Sequence, residues 1–199
     1  ISAARARVRG IEAETFYTPH AVPGLTLHLS GTFNDAKYLE YLADCYTGQT
    51  IELGCNKVLN PVTGLYTSQD LSGQQMQRAP RYTASLGVYY EFPVSDKLMI
   101  GTSANAAYTD DYQAGSLSQP GGHQGSFVKT DATIRFFRPD QRWEIALIGL
   151  NLTNKITVDR ANDKPGTGSG KGGTTGVLSD IVGALSPPRQ VMLQATYRY

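Results

Sequence analysis

Along much of the chain apolar and polar residues alternate one for one, the period of a β-strand whose two faces meet different surroundings. Segment 25–34 is the plainest case. Leu25, Leu27, Leu29, Gly31 and Phe33 fall on one face, and Thr26, His28, Ser30, Thr32 and Asn34 on the other. A strand before it runs from about Val8 to Tyr17, with Ile11, Ala13, Thr15 and Tyr17 opposite Gly10, Glu12 and Glu14. The link TPHAVPG at 18–24 holds two prolines and a glycine and predicts a compact turn. A second hairpin sets Tyr82, Ala84, Leu86, Val88, Tyr90 and Phe92 on one face, turns at PVSDK (93–97), and returns through Leu98, Ile100, Thr102, Ala104, Ala106 and Tyr108. A third joins Phe127–Phe137 to a strand over 143–155 through RPDQ at 138–141, and a last strand runs from Val191 to Tyr199. The 143–155 segment, WEIALIGLNLTNK, is apolar on both faces near Leu147–Leu150, which leaves its phase open.

The connections alternate as well. Tight turns at one end are answered by long polar stretches, about 40–80, 110–126 and 157–188, at the other. Bacterial outer-membrane barrels have this asymmetry, with short periplasmic turns and long external loops, and a tilted strand crosses the hydrocarbon layer in about 9–11 residues. Aromatic residues gather at strand ends (Tyr17, Phe33, Tyr38, Tyr82, Tyr90, Phe92, Tyr108, Phe136, Trp143, Tyr197, Tyr199), where a ring with one polar tip suits a membrane interface. A soluble β-sandwich would also alternate, but it would not combine membrane-length strands with this turn-and-loop rhythm. The expected fold is therefore all-β: antiparallel transmembrane β-barrel strands, about seven of them, across 1–199. Seven is odd, whereas bacterial single-chain barrels have even counts, and an open edge in lipid leaves backbone groups unsatisfied. Either one strand escapes the pattern or the closing strands lie upstream in a longer polypeptide, and an opening without an initiator Met favours the second.

Composition narrows the function. Gly 21, Tyr 12, 18% charged residues and a net charge of +1 exclude the concentrated basic face of a nucleic-acid binder. With 40% hydrophobic residues the chain is not a disordered segment. No run approaches the roughly 18 apolar residues of a spanning helix, and a mean hydropathy of −0.29 is what alternating membrane strands also give. The opening ISAARARVRG resembles no signal peptide. Cys45 and Cys55 lie close together in a loop-like stretch; in an oxidising compartment that spacing predicts a local disulfide. The alternatives are two free thiols or half of a metal site, and the absence of a nearby His or second Cys pair disfavours zinc.

Several segments together resemble a known family. RARVRGIEAE at 5–14, PGLTLHLSGTFNDAKY at 23–38, and DLSGQQMQRAPRYTASLGVYYEF at 70–92 resemble the late barrel strands of TonB-dependent receptors. Trp143 followed by GLNLTNK (149–155), then Pro188-Arg189 and a strand ending Tyr197-Arg198-Tyr199, adds the most specific match, all in the family's order. Tyr197 and Tyr199 also resemble the C-terminal signal read by the barrel-assembly machinery, with Gln194 where that signal often has Gly. The resemblance implies a bacterial outer-membrane importer of scarce large solutes, typically iron–siderophore complexes, with this chain as roughly the last third of a larger plugged barrel. Its further parts would be outer-membrane lipid around the wall, a plug domain, the remaining strands, and a TonB complex reached through an N-terminal segment that this chain lacks. Ligand would then be captured between external loops and plug. Tyr46, Tyr66, Tyr112 and His123 are the candidate ligand-binding residues, because aromatic and imidazole groups suit aromatic, anionic chelates. A small self-contained structural or adhesive barrel and a passive porin-like channel are the competing readings.

The residues offer no support for enzyme chemistry. GTGSGKGGTTG at 166–176 departs from a phosphate loop: Pro165 stands where the first Gly belongs, and Gly172 follows Lys171. It reads instead as a mobile external loop. His20, His28 and His123 are scattered, the Asp110-Asp111 pair sits near a strand end, and no nucleophile–base set is visible. No cofactor and no metal site are expected. Asn151-Leu152-Thr153 matches a glycosylation acceptor, irrelevant in a bacterial strand. The polar faces carry Glu12, Glu14, Arg81, Glu91, Lys129, Asp131, Arg135 and Arg198, as a lumen wall would.

Overall fold

The computed structural model describes residues 3–168 and 176–199. Its strands, in chain order, are β1 (Ala3–Tyr17), β2 (Leu25–Asp44), β3 (Ser68–Asp70), β4 (Tyr82–Ser95), β5 (Leu98–Thr109), β6 (Tyr112–Gln113), β7 (His123–Gln124), β8 (Phe127–Phe137), β9 (Trp143–Leu150), β10 (Val158–Lys164), β11 (Asp180–Leu185) and β12 (Gln190–Tyr197). Seven of them form one antiparallel meander in the order β1-β2-β4-β5-β8-β9-β12, with β3 pairing the far end of β2. No helix among the described residues is long and apolar enough to cross a membrane.

The register keeps each alternating face intact across the sheet. Leu25, Leu27, Leu29, Gly31 and Phe33 of β2 pair with Tyr90, Val88, Leu86, Ala84 and Tyr82 of β4. The same face continues through Ala106, Ala104, Thr102 and Ile100 of β5, opposite Thr130, Ala132, Ile134 and Phe136 of β8. It then passes to Leu147 and Gly149 on β9, which lie beside Leu193 and Val191 on β12, so the phase of β9 is settled. Large apolar side chains lie open on it: Leu29 is 54% exposed, Ile11 74% and Leu193 75%. A contiguous face of this kind is tolerable in hydrocarbon and not in water. From Tyr82 to Phe92 the chain advances about 34 Å at roughly 3.4 Å per residue, which a tilt near 40° reduces to about 26 Å, close to the apolar band of a membrane barrel. Phe33, Tyr82 and Tyr108 mark the upper edge of that band. Tyr90, Phe92, Phe136, Trp143 and Tyr197 mark the lower one.

Three boundaries differ from the sequence reading. β2 runs on to Asp44, so the loop expected from 40 begins about five residues later and Tyr38 stands within a strand, above the band. β9 stops at Leu150, and Asn151–Lys155 is a turn. Asn151 and Asn154 have φ of 49° and 51°, a left-handed backbone that asparagine accepts more readily than most residues and that no strand can contain. The Asn151-Leu152-Thr153 triplet therefore lies outside any strand. Third, the 157–188 stretch contains the β10–β11 hairpin, paired from Val158↔Leu185 to Lys164↔Asp180. Residues 169–175, the bulk of the segment read as a mobile loop, lie outside the described residues.

Candidate functional site

The polar face of the sheet is a wall of paired charges and hydroxyls. His28 Nε2 lies 2.9 Å from Glu14 Oε1, and the Ser30 and Ser85 hydroxyls are 2.7 Å apart. Lower down, Arg135 bridges Glu91 and Glu144, its Nη1 donating to Glu144 Oε2 at 3.3 Å. Its side chain lies flat over Gly101, where a Cβ would come within 2.7 Å of Nε; glycine at that position makes the bridge possible. Of the charged residues assigned to this wall, Arg198 instead donates from Nη1 to the Gln141 carbonyl, tying the chain end to the 138–142 turn.

At the upper end of the wall the most specific sequence motifs meet. The Asn151 amide N–H donates to Asp131 Oδ1 at 2.7 Å. Its side-chain Nδ2 donates to the Lys155 and Pro187 carbonyls, and its Oδ1 accepts from the Lys155 N–H. Asn154 Oδ1 accepts from the Arg189 N–H at 3.0 Å. GLNLTNK and Pro188-Arg189 are far apart in sequence yet form one lock, which fixes the entry of β12 against the top of β8. Beside it Lys129 donates to Thr157 Oγ1 and Ser186 Oγ, the two residues that close the base of the β10–β11 hairpin.

Above this level the three long connections interlock into a cap. Loop 45–81 reaches the hairpin through the Thr47 N–H, which donates to Asp163 Oδ2 at 2.7 Å, and through the Gly176 N–H, which donates to Gly48 O. Gly48 (φ 80°) sits so close that a Cβ would lie 2.1 Å from the Val177 carbonyl oxygen. Loop 110–126 meets both others: Gln69 Nε2 donates to Leu117 O, the Val158 N–H to Gln124 Oε1, and the Ala161 N–H to Ala114 O. The interior of the cap holds Ala43, Tyr46, Cys55, Leu71, Ala114 and Ala161, together with the buried amides of Gln49, Gln69, Gln119 and Gln124. Cys45 and Cys55 are disulfide-bonded, closing a ten-residue separation inside it. A loop of that size contributes about 2–3 kcal/mol through the lost freedom of the unfolded chain.

The four candidate ligand residues occupy different surroundings. Tyr46 is 6% exposed, part of the cap interior, and burial raises its phenol pKa. Tyr112 is half-buried, donates from its hydroxyl to the Val158 carbonyl at 3.1 Å, and has its pKa raised mainly by burial. Tyr66 is partly exposed, opposite Leu59 in an isolated bridge. His123 is exposed, with Nε2 3.1 Å from Asp111 Oδ2. Tyr112 and His123 stand on the neighbouring strands β6 and β7, and no side-chain hydrogen bond, ion pair or ring contact among the described residues joins any two of the four. Among the described residues no group of three His, Cys, Asp or Glu is placed to hold a metal. Asp163, which sequence reading passed over, is the most connected acid of the cap: burial raises its pKa, but hydrogen bonds from the Ser179 hydroxyl and Thr47, with the Lys164 N–H, outweigh burial and hold it below the ordinary value.

Residues 1–154 match the family model described as "TonB dependent receptor-like, beta-barrel". Among solved structures, the chain is similar to the ferric yersiniabactin uptake receptor FyuA from Yersinia pestis (TM-score 0.62, 14% identity, 96% of this chain and 23% of that one). It is likewise similar to the siderophore receptor PiuA from Acinetobacter baumannii (TM-score 0.60, 18% identity, 98% of this chain and 22% of that one). The chain thus spans under a quarter of the length of either receptor, and at these identities the likeness is one of fold. No curated protein matches it.

Proposed function

We propose that this chain, which belongs to the TonB-dependent receptor family of outer-membrane β-barrels, supplies barrel wall and external loops to an energised importer of iron–siderophore complexes. The observation that carries the reading is the pairing of an open membrane wall with a preorganised cap at one end of it. β1 and β12 are the two ends of the sheet and do not pair with each other, which fits a wall completed by further strands better than a small closed barrel. The polar face fits a lumen occupied by a plug, with the Arg135–Glu91–Glu144 bridge lining it. Outer-membrane lipid would surround the apolar face, a TonB complex would act on the plug from the periplasm, and the barrel-assembly machinery would read the Tyr197 and Tyr199 end. The absence of a catalytic constellation in the sequence and the family membership agree on transport rather than enzymic chemistry. Tyr66 and His123, the two candidates open to solvent, would touch ligand; Tyr46 and Tyr112 would hold the surface that presents them.

Uptake of a radiolabelled ferric siderophore by cells carrying the native receptor with residues 157–188 deleted tests the reading. Uptake should fall to background while heat-modifiable barrel persists in the outer membrane. Undiminished uptake would remove the loop from capture. A native polypeptide near 21.6 kDa by intact mass would replace the importer by a small barrel.

A further inference from the structure

The apolar face changes character above Ile11 and Phe33. The next positions on that face are Arg9 and Arg7 on β1, paired with Asp35 and Lys37 on β2. The register is unbroken from Ala6 to Tyr17, so these charges stand on the same side of the sheet as Leu29 and not on the lumen side. Arg7 Nη2 lies 3.3 Å from Asp35 Oδ2, and Lys37 Nζ lies 3.0 Å from Asp35 Oδ1, so one carboxylate holds two cations side by side. The Arg9 side chain is exposed and makes no ion pair or hydrogen bond among the described residues. Three cations against one carboxylate leave a surplus of two positive charges, facing outward and just above the aromatic edge that marks the interface. Two rows below the first of these charges, Ala13, Gly31 and Ala84 meet across three strands, and their small side chains leave an apolar depression of about 390 Å³ between Thr15 and Leu29.

We propose that this column of β1, β2 and β4 binds a phosphate-bearing lipid of the outer leaflet, its headgroup phosphates on Arg7, Arg9 and Lys37 and an acyl chain in the depression below. Charge complementarity selects the headgroup. Guanidinium groups bind phosphate oxygens through paired charge-assisted hydrogen bonds, and at the interface the anions of highest local concentration are lipid phosphates. The geometry selects a lipid over free phosphate. Arg9 and Ala13 are four residues apart, about 13 Å along the strand and roughly 10 Å in depth once tilted, which is the separation of a phosphorylated headgroup from its chains. Asp35 acts as the positioning residue, keeping Arg7 and Lys37 adjacent. The inference rests on the reading that the apolar face meets lipid.

The test uses the full-length receptor in detergent and native mass spectrometry. Three probes are offered: a diphosphorylated outer-leaflet glycolipid, the same lipid after phosphatase treatment, and inorganic phosphate. Wild type should retain the phosphorylated lipid. R7Q/R9Q/K37Q should retain it at least about tenfold less well, the loss of more than one charge-assisted contact. Gly31→Val fills the depression without touching the charges and has room, since the nearest atom to a Cβ there is 3.9 Å away; it should weaken retention severalfold. Equal retention by the triple variant, equal retention of the dephosphorylated lipid, or displacement by millimolar inorganic phosphate each overturns the site. Leu29→Trp separates this from the wall's orientation. Quenching of that Trp by brominated acyl chains, with lipid retention unchanged in R7Q/R9Q/K37Q, removes the site alone, whereas no quenching removes the orientation on which it stands.

Discussion

The wall and the cap of this molecule are held together by different forces. In the wall the side chains stand open on both faces and the strands are joined by backbone ladders. In the cap a small interior of Leu71, Tyr46, Ala114 and Ala161 is sealed by glutamine amides and a disulfide, as in a water-soluble domain. The reason lies in the solvent. An apolar side chain on the wall passes from water into lipid on assembly but gains nothing further from packing against other residues, because lipid tails are as apolar as leucine and close over any gap. The loops fold in water, where burial of apolar area is the main driving force. One chain therefore follows two sets of rules, divided at the row of Phe33, Tyr82 and Tyr108.

That contrast can be broken most forcefully in the cap. Leu71→Ala, at a side chain only 2% exposed, should cost the cap about 3 kcal/mol, read as faster amide exchange across 45–81 in the intact receptor. Asn151→Ala removes the junction between wall and cap. It strands the Lys155 and Pro187 carbonyls and places alanine at positive φ, for a loss of about 2–3 kcal/mol. Proteolysis near Lys155 and Arg189 should appear while the barrel stays heat-modifiable. Paired Cys45→Ser and Cys55→Ser changes should loosen the first loop by about 2–3 kcal/mol and leave wall strands protected from exchange.

Acid gives a gentler probe. Asp163 is held below the ordinary carboxylate pKa in the folded cap, so its contribution is fully present above about pH 4 and is lost as pH falls through the depressed value. Protection of the Thr47 amide, relative to its intrinsic exchange rate at each pH, should fall in that acid window, and Asp163→Asn should abolish the pH dependence. The wall should lose less than the cap interior: Leu29→Ala deletes a large apolar side chain but leaves no cavity, since lipid tails fill the space, and should cost the receptor only the lost transfer from water, about 2 kcal/mol. A loss there as large as at Leu71 would show that both regions obey the same rule.

The same division explains what the sequence made legible. Six of the seven wall strands are legible because each divides an apolar medium from a wet one and so carries a period of two, whereas β9, apolar on both faces near Leu147–Leu150, is legible only as an apolar run of open phase. β10 (VDRANDK) and the two-residue β6 and β7 carry no such period; their partners are other loops, and loop-to-loop contacts leave no local trace. The four candidate ligand residues were chosen by side-chain chemistry alone, and chemistry does not distinguish a tyrosine that lines a surface from one, like Tyr46, that fills an interior. GLNLTNK predicts a strand because Leu150 and Leu152 prolong the apolar run of WEIALIGL. The two asparagines three apart were the available signal for left-handed turns.

A further consequence follows from the ties between Thr47 and Asp163, Gln69 and Leu117, and Gln124 and Val158. A hairpin that slipped by one residue would turn its apolar side chains into the lumen and be rejected by the membrane at once. A slip of two residues would escape that check, since every side chain would return to its proper face, displaced by about 7 Å. Lipid cannot sense such an error. The cap can, because its ties run between loops borne by different hairpins and close only when each hairpin stands at its own height. The loops thus serve the wall as a gauge of length, correcting the one class of mispairing to which a membrane is blind.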